Sequence, residues 1–173
     1  MTRPATTASR VLHLLRHAKS SWDDPELPDA DRPLTGRGER AAARLARQLA
    51  RDRVAPGLVL CSTARRARQT LELILPVLGD PEVVFEDGLY GAGAPALLTR
   101  VRQLPAGIRE AMLIGHNPGI HELALSLAGP GTPVSLREGF PTGALVSLRF
   151  EAATWGDLRR GGAVTRLLRP REL

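Results

Sequence analysis

Residues 11–17 read Val-Leu-His-Leu-Leu-Arg-His. An apolar run suited to a buried strand ends on two adjacent basic side chains. The chain then turns polar through Ala18, Lys19, Ser20 and Ser21. Ending there puts Arg16 and His17 at the strand's carboxyl end. In an open α/β sheet that end is where ligands bind. The fold therefore turns on whether other strands end on polar groups along the same edge.

They do. Residues 58–61, Leu-Val-Leu-Cys, form a second buried strand, followed by Ser62, Arg65 and Arg66. Residues 83–85 form a third, followed by Glu86 and Asp87. Residues 111–114 form a fourth, followed by Gly115, His116 and Asn117. Helical patterns alternate with these runs. Thr35 is the expected N-cap of a helix reaching Asp52, with Glu39 in its first turn. Ala42, Leu45, Ala46 and Leu49 share one face at a period of 3.6. Ser62 is the expected cap of a helix to Leu78, with Ala67, Leu71, Ile74, Leu75 and Leu78 inward. Further helices are expected over 95–103 and 118–128, where Asn117 can cap and Pro118 suits the first turn. Residues 129–143 read as irregular. Residues 145–150 and 164–168 read as a final, antiparallel strand pair with a short helical segment near Trp155.

This alternation predicts a three-layer α/β/α sandwich around a mostly parallel sheet. The 173 residues suit one domain over 10–173, after a flexible tail over 1–9. The core must be aliphatic, because hydrophobic residues make up 43% and aromatic ones only 3%. So few rings argue against a nucleic-acid module that stacks bases. Cys61 is the single cysteine, so no disulfide framework forms within the chain. No signal peptide or membrane span is legible, and the expectation is a cytoplasmic protein. Lys+Arg exceed Asp+Glu by 24 to 18, which suits an anionic ligand. The arginines are dispersed along the chain, so most read as solvated surface. No coiled-coil heptads appear, and a monomer is expected.

Two histidines, two or more arginines and a carboxylate thus meet at one edge. That set suits phosphoryl transfer through a phosphohistidine. A neutral imidazole attacks phosphorus while cationic donors hold the oxygens over which charge spreads. Arginine offers bidentate contact with those oxygens. A carboxylic acid nearby can protonate a leaving group. No metal or other cofactor is called for.

The motifs in order are "LLRHAKS", "DRPLTGRG", "CSTARRARQT", "FEDGLYG" and "GHNPG". Together they resemble the histidine phosphatase superfamily, whose fold is phosphoglycerate mutase-like. Ala18-Lys19-Ser20 after Arg-His, with the short chain, resembles the SixA-type phosphohistidine phosphatases rather than the mutases. That resemblance implies a nucleophilic His17. Arg16 and Arg66 would bind the phosphoryl group, and His116 would donate a hydrogen bond to it. Asp87 falls where the family's acid lies, with Glu86 beside it. Lys19, Ser20 and Asn117 would line the substrate pocket. The implied substrate is a phosphohistidine-bearing protein, with no nucleic-acid or membrane partner. The alternatives are a phosphatase for small phosphomonoesters, such as sugar or nucleotide phosphates, and a non-catalytic module that binds a phospho-ligand. His13, within the strand, reads as a core histidine. His121, Arg65 and Arg68 read as surface, and Cys61 as a small core hydrophobe.

Overall fold

A computed structural model describes residues 8–173, so of the tail expected over 1–9 only its last two residues can be placed. Ser9 already belongs to β1 (Ser9–Arg16). The chain continues through α1 (Gly36–Arg51), β2 (Leu58–Ser62), α2 (Arg65–Ile74), β3 (Glu82–Glu86) and α3 (Ala94–Arg102). Then come β4 (Glu110–Gly115), α4 (Gly119–Leu127), α5 (Val134–Glu138), β5 (Leu145–Glu151) and β6 (Ala163–Leu168). The strands form one six-stranded sheet in the order β3-β2-β4-β1-β5-β6. β3, β2, β4 and β1 run parallel, and β5 joins antiparallel to both β1 and β6. This is the expected α/β/α sandwich with a mostly parallel sheet.

Strand alternation divides the core between the two faces of the sheet. Leu12, Leu14, Leu58, Leu60, Leu113 and Val146 pack against α3, α4 and Trp155. Leu15, Val59, Cys61, Met112 and Ile114 pack against α1 and α2. The central strands read as unbroken apolar runs because helices cover both faces. His13 is buried, as expected of a core histidine. Its Nε2–H donates to Glu110 Oε1 at 2.8 Å, and Nδ1 accepts from Ser147 Oγ at 2.7 Å. Arg65 and Arg68 are exposed, also as expected.

Three expectations are corrected. Ser62 does not cap α2; the helix begins at Arg65, and the Ser62 hydroxyl is drawn to His116 instead. Asn117 does not cap α4, since its amide is turned to the Phe140 carbonyl at 2.8 Å. His121 is half-buried rather than a surface group. Its Nε2–H donates to the Leu136 carbonyl at 2.7 Å, and its ring stacks on Phe140. The stretch over 129–143 also contains α5, which that bond holds down. Among the described residues no helix is long and apolar enough to cross a membrane.

The segment before α1 owes its form to two contacts. Thr35 Oγ1 accepts from the Gly38 N–H at 2.9 Å, as an N-cap should. The Thr35 N–H donates to the Lys19 carbonyl at 2.9 Å. These draw the start of α1 onto the backbone beside His17, and only a residue without a Cβ fits at Gly38. A Cβ there would collide with the Lys19 carbonyl oxygen and sit 3.0 Å from the Lys19 nitrogen. The expected cost of Gly38→Ala is about 1–3 kcal/mol, typical of forced overpacking, together with a loss of turnover. Gly88→Ala, whose Cβ meets nothing within 4 Å, is the control. Thermal unfolding and kcat/KM of the two variants check this; equal behaviour would contradict the close approach.

Candidate active site

Arg16 is the last residue of β1, opposite Gly115 in the register with β4. The His17 N–H then donates to the Gly115 carbonyl at 3.1 Å. This bond places His17 beside His116. The next residue ties in the third motif. The Ala18 N–H donates to Thr70 Oγ1 at 3.0 Å, and Thr70 Oγ1 donates to the Arg66 carbonyl at 2.7 Å. Arg66 and Thr70 are four apart on α2, so one helical turn carries the guanidinium and also anchors the His17 loop.

His17 is 6% exposed. Its Nδ1–H donates to the Ala18 carbonyl at 2.7 Å, which leaves a lone pair on Nε2. Arg66 Nε–H donates to that Nε2 at 3.3 Å. Arg66 Nη2–H donates to His116 Nδ1 at 3.4 Å, and His116 Nε2–H donates to Ser62 Oγ at 2.7 Å. These tautomers follow from the partners, since Arg66 can only donate. One guanidinium thus faces both imidazoles, whose ring centres lie 5.0 Å apart. Burial pushes His17 down to about 3, against the bond to Ala18 and aided by charge at His116, Arg66 and Arg16. Burial also pushes His116 down to about 4, with Arg66 adding to it. Both rings are neutral at pH 7.

Arg16 lies on the other side. Its Nη1 donates to the Phe140 carbonyl at 3.0 Å, and burial followed by the Arg66 charge lowers its pKa. Arg16 Nε and Asn117 Oδ1 are buried polar atoms with no protein partner among the described residues. His121, through Phe140 and Leu136, keeps the carbonyl that both side chains use in place.

The loop over 20–35 supplies a group that the sequence reading missed. Asp29 accepts from Arg66 Nη2 at 3.0 Å through Oδ2, and its carbonyl accepts from Arg66 Nη1 at 2.7 Å. Tyr90 Oη donates to the same Oδ2 at 2.5 Å, and Arg32 Nη1 to Oδ1 at 2.8 Å. These donors, the Tyr90 hydroxyl foremost, hold the Asp29 carboxyl far below its usual range. Arg32 is the pin of the loop. It donates to the Ser21 carbonyl at 2.8 Å and Ser20 Oγ at 2.7 Å, and stacks over the Trp22 ring at 3.2 Å.

Arg16, His17, Arg66 and His116 therefore come together, with Asn117 at their edge. Ser20 is buried, but its hydroxyl serves Arg32. Lys19 is exposed and lines a separate cleft. Asp87 is exposed; its Oδ1 accepts from Thr63 Oγ1 at 2.7 Å, and no hydrogen bond joins it to the four central residues. Glu86 is held by Arg100 in an ion pair of 2.6 Å. Asp29 carried no motif that set it apart from Asp31 or Asp24, and Tyr90 stood unremarked in "DGLYG". The one signal over this stretch is its length, since a loop that long inside a domain is usually functional or disordered.

The depressed histidines have a pH signature. Above 6.5, the unfolded-chain value, neither state binds the extra protons. As pH falls below 6.5 the unfolded histidines protonate while His17 and His116 resist until about 3 and 4. Folded stability therefore drops over that window. Melting from pH 7 to pH 4.5 should lower Tm in the native protein and lower it less in a His17→Asn/His116→Asn double variant. Identical slopes would refute the neutral assignment.

The model of the histidine phosphatase superfamily (branch 1) matches residues 12–92. The chain is 35% identical over 154 residues to the uncharacterized protein Rv1276c of Mycobacterium tuberculosis, covering 86% of this chain and 94% of that one. Among solved structures it is similar to the protein assigned as phosphohistidine phosphatase SixA in Nakamurella multipartitia. There the TM-score is 0.82 at 32% identity, over 94% of this chain and 96% of that one. A second structure with the same assignment, from Agrobacterium tumefaciens, gives 0.78 at 30%, over 93% and 98%. With the ordered motifs and the sheet they sit on, these similarities make the chain a histidine phosphatase, a member of the histidine phosphatase superfamily.

Proposed function

We propose that the chain removes a phosphoryl group from a protein phosphohistidine through a covalent intermediate on His17. The observation that carries this is the neutral His17 Nε2 facing the Arg66 guanidinium at 3.3 Å. In the resting site that N–H covers the lone pair. A bound phosphoryl oxygen takes the N–H over and frees Nε2 to attack. As the N–P bond to His17 forms, the N–P bond to the substrate ring breaks, and that ring, protonated on its other nitrogen, takes the electron pair and leaves as a neutral imidazole. Water then attacks phosphorus and the His17–P bond breaks. His17 returns to its neutral form, and the proton of the water passes to the phosphate released.

Arg16 and Arg66 supply the positive charge over the transferring oxygens, so the steps need no metal. Arg16 Nε, buried without a protein partner, is a donor available to a phosphoryl oxygen. His116 Nδ1 accepts in the resting site. A phosphoryl group that carries a proton donates its P–O–H to that nitrogen, so the bond between His116 and the phosphoryl group runs in the opposite sense to the one the resemblance implies.

Asp29 favours phosphohistidine over a phosphomonoester. A carboxylate held ionised against Arg66 favours a substrate ring that is protonated on its other nitrogen and so leaves as a neutral imidazole. It disfavours an alkoxide, on which negative charge builds. An ionised Asp29 is also no proton donor, and Glu86 is committed to Arg100. The SixA assignment of the similar structures points to the same substrate class.

Incubation with a phosphohistidine protein should trap a phosphoenzyme that is acid-labile and alkali-stable, and His17→Ala should abolish both it and turnover. Undiminished turnover in His17→Ala would sink the mechanism. Asp29→Asn should lower kcat/KM for the phosphohistidine protein relative to p-nitrophenyl phosphate by about tenfold, or about 1.4 kcal/mol. An unchanged ratio would remove Asp29 from the selection of leaving group.

A further inference from the structure

A cleft of about 850 Å³ opens beside the His17 loop, and its lining includes none of Arg16, His17, Arg66 or His116. Five cations line it: Lys19, Arg37, Arg44, Arg169 and Arg171. Glu172 is the single acidic side chain among its lining residues. Among the described residues none of the five makes an ion pair or a side-chain hydrogen bond. Elsewhere Arg66, Arg100 and Arg166 each hold a carboxylate. We infer that this cleft docks the acidic face of the protein whose phosphohistidine enters the site, an inference that rests on the substrate class proposed above.

The cleft is joined to the site through the backbone. Gly143 donates its N–H to the carbonyls of Arg16 and His17 at 3.0 and 2.9 Å. On its other side Gly143 lies against Pro170, whose Cγ would be 3.0 Å from an added Cβ. The opposite wall is the first half of α1, which Gly38 brings against Lys19. A partner seated between these walls touches Lys19, two residues beyond the nucleophile, and Thr142, next to the Gly143 that holds the strand end.

The form of the charge selects the partner. A small polyanion calls for buried, fixed donors. Here Lys19, Arg37 and Arg171 are exposed, and Arg44 and Arg169 are half-buried. Such surface cations act over about a Debye length, roughly a nanometre, raising the rate of encounter with an oppositely charged surface and weakening with salt. That behaviour fits an acidic protein face.

The test is Arg37→Glu/Arg44→Glu in the full chain, with unchanged Tm as the sign that it folds. Substrates are an acidic protein and a basic histone, each phosphorylated on histidine, and phosphoramidate as the small control. At low ionic strength the double variant should lose about tenfold or more in kcat/KM for the acidic protein, within the range of electrostatic steering. Turnover of phosphoramidate should hold, and the histone should gain. Added salt should close the gap between wild type and variant. An unchanged rate on the acidic protein overturns the docking surface. So does an equal loss on phosphoramidate, which would make the cleft part of the phosphoryl site or a subsite for a small anion. If wild type turns over phosphoramidate but neither protein, the substrate class itself is wrong, and the docking inference falls with it.

Discussion

The 3.1 Å bond from the His17 N–H to the Gly115 carbonyl sets the height at which the two central strands stop. β1 and β4 are parallel neighbours in register, Arg16 against Gly115. Each therefore releases its histidine at the same level. A slip of one residue in that pairing would turn every side chain of one strand to the other face of the sheet. Leu12 and Leu14 against α4, and Leu15 against α1 and α2, forbid the slip. The hydrophobic register of the core thus fixes the 5.0 Å separation of two histidine rings that lie far apart in sequence.

Around that pair the site is an exercise in desolvated charge. Arg66 is 6% exposed, and a buried cation without partners is strongly unfavourable. Its fork is satisfied by Asp29 on one side and by two neutral imidazoles on the other. Neutrality of the histidines is part of this balance, since a protonated ring would face Arg66 charge to charge. The same arrangement that stabilises the folded site leaves His17 with a usable lone pair. Fold and reactivity here have one electrostatic cause.

Much of this was legible in the sequence. The strand ends announced themselves because both faces of the sheet are covered, so the strands are unbroken apolar runs bounded by polar residues. Arg16, His17, Arg66 and His116 each follow such a run by a few residues. What escaped was contact across loops. Ser62 has the right residue type for a helix cap, and no local signal says that His116 will claim its hydroxyl. His121 looks like a surface helix residue until α5 folds over it. Asp29 is one of several aspartates in a stretch without periodicity, and its role depends on Arg32, Tyr90 and Arg66 converging from three segments. The arginines are dispersed along the chain, yet the fold gathers Arg37, Arg44, Arg169 and Arg171 around Lys19.

Two populations of cation result, and their physics differs. Arg16 and Arg66 are held rigidly by carbonyls and a carboxylate in surroundings of low dielectric. Their fields are strong, short in range and little affected by salt, which is what stabilising a transferring phosphoryl group requires. The cleft cations are exposed or half-buried, and among the described residues their side chains make no ion pair or side-chain hydrogen bond. Each contributes little to any single contact, because solvent screens it and fixing the side chain is entropically unfavourable. Their summed field still reaches about a Debye length, roughly 8–10 Å at ordinary ionic strength. On the proposed function the site receives a whole protein and uses both kinds, because buried arginines cannot attract a partner that has not yet arrived.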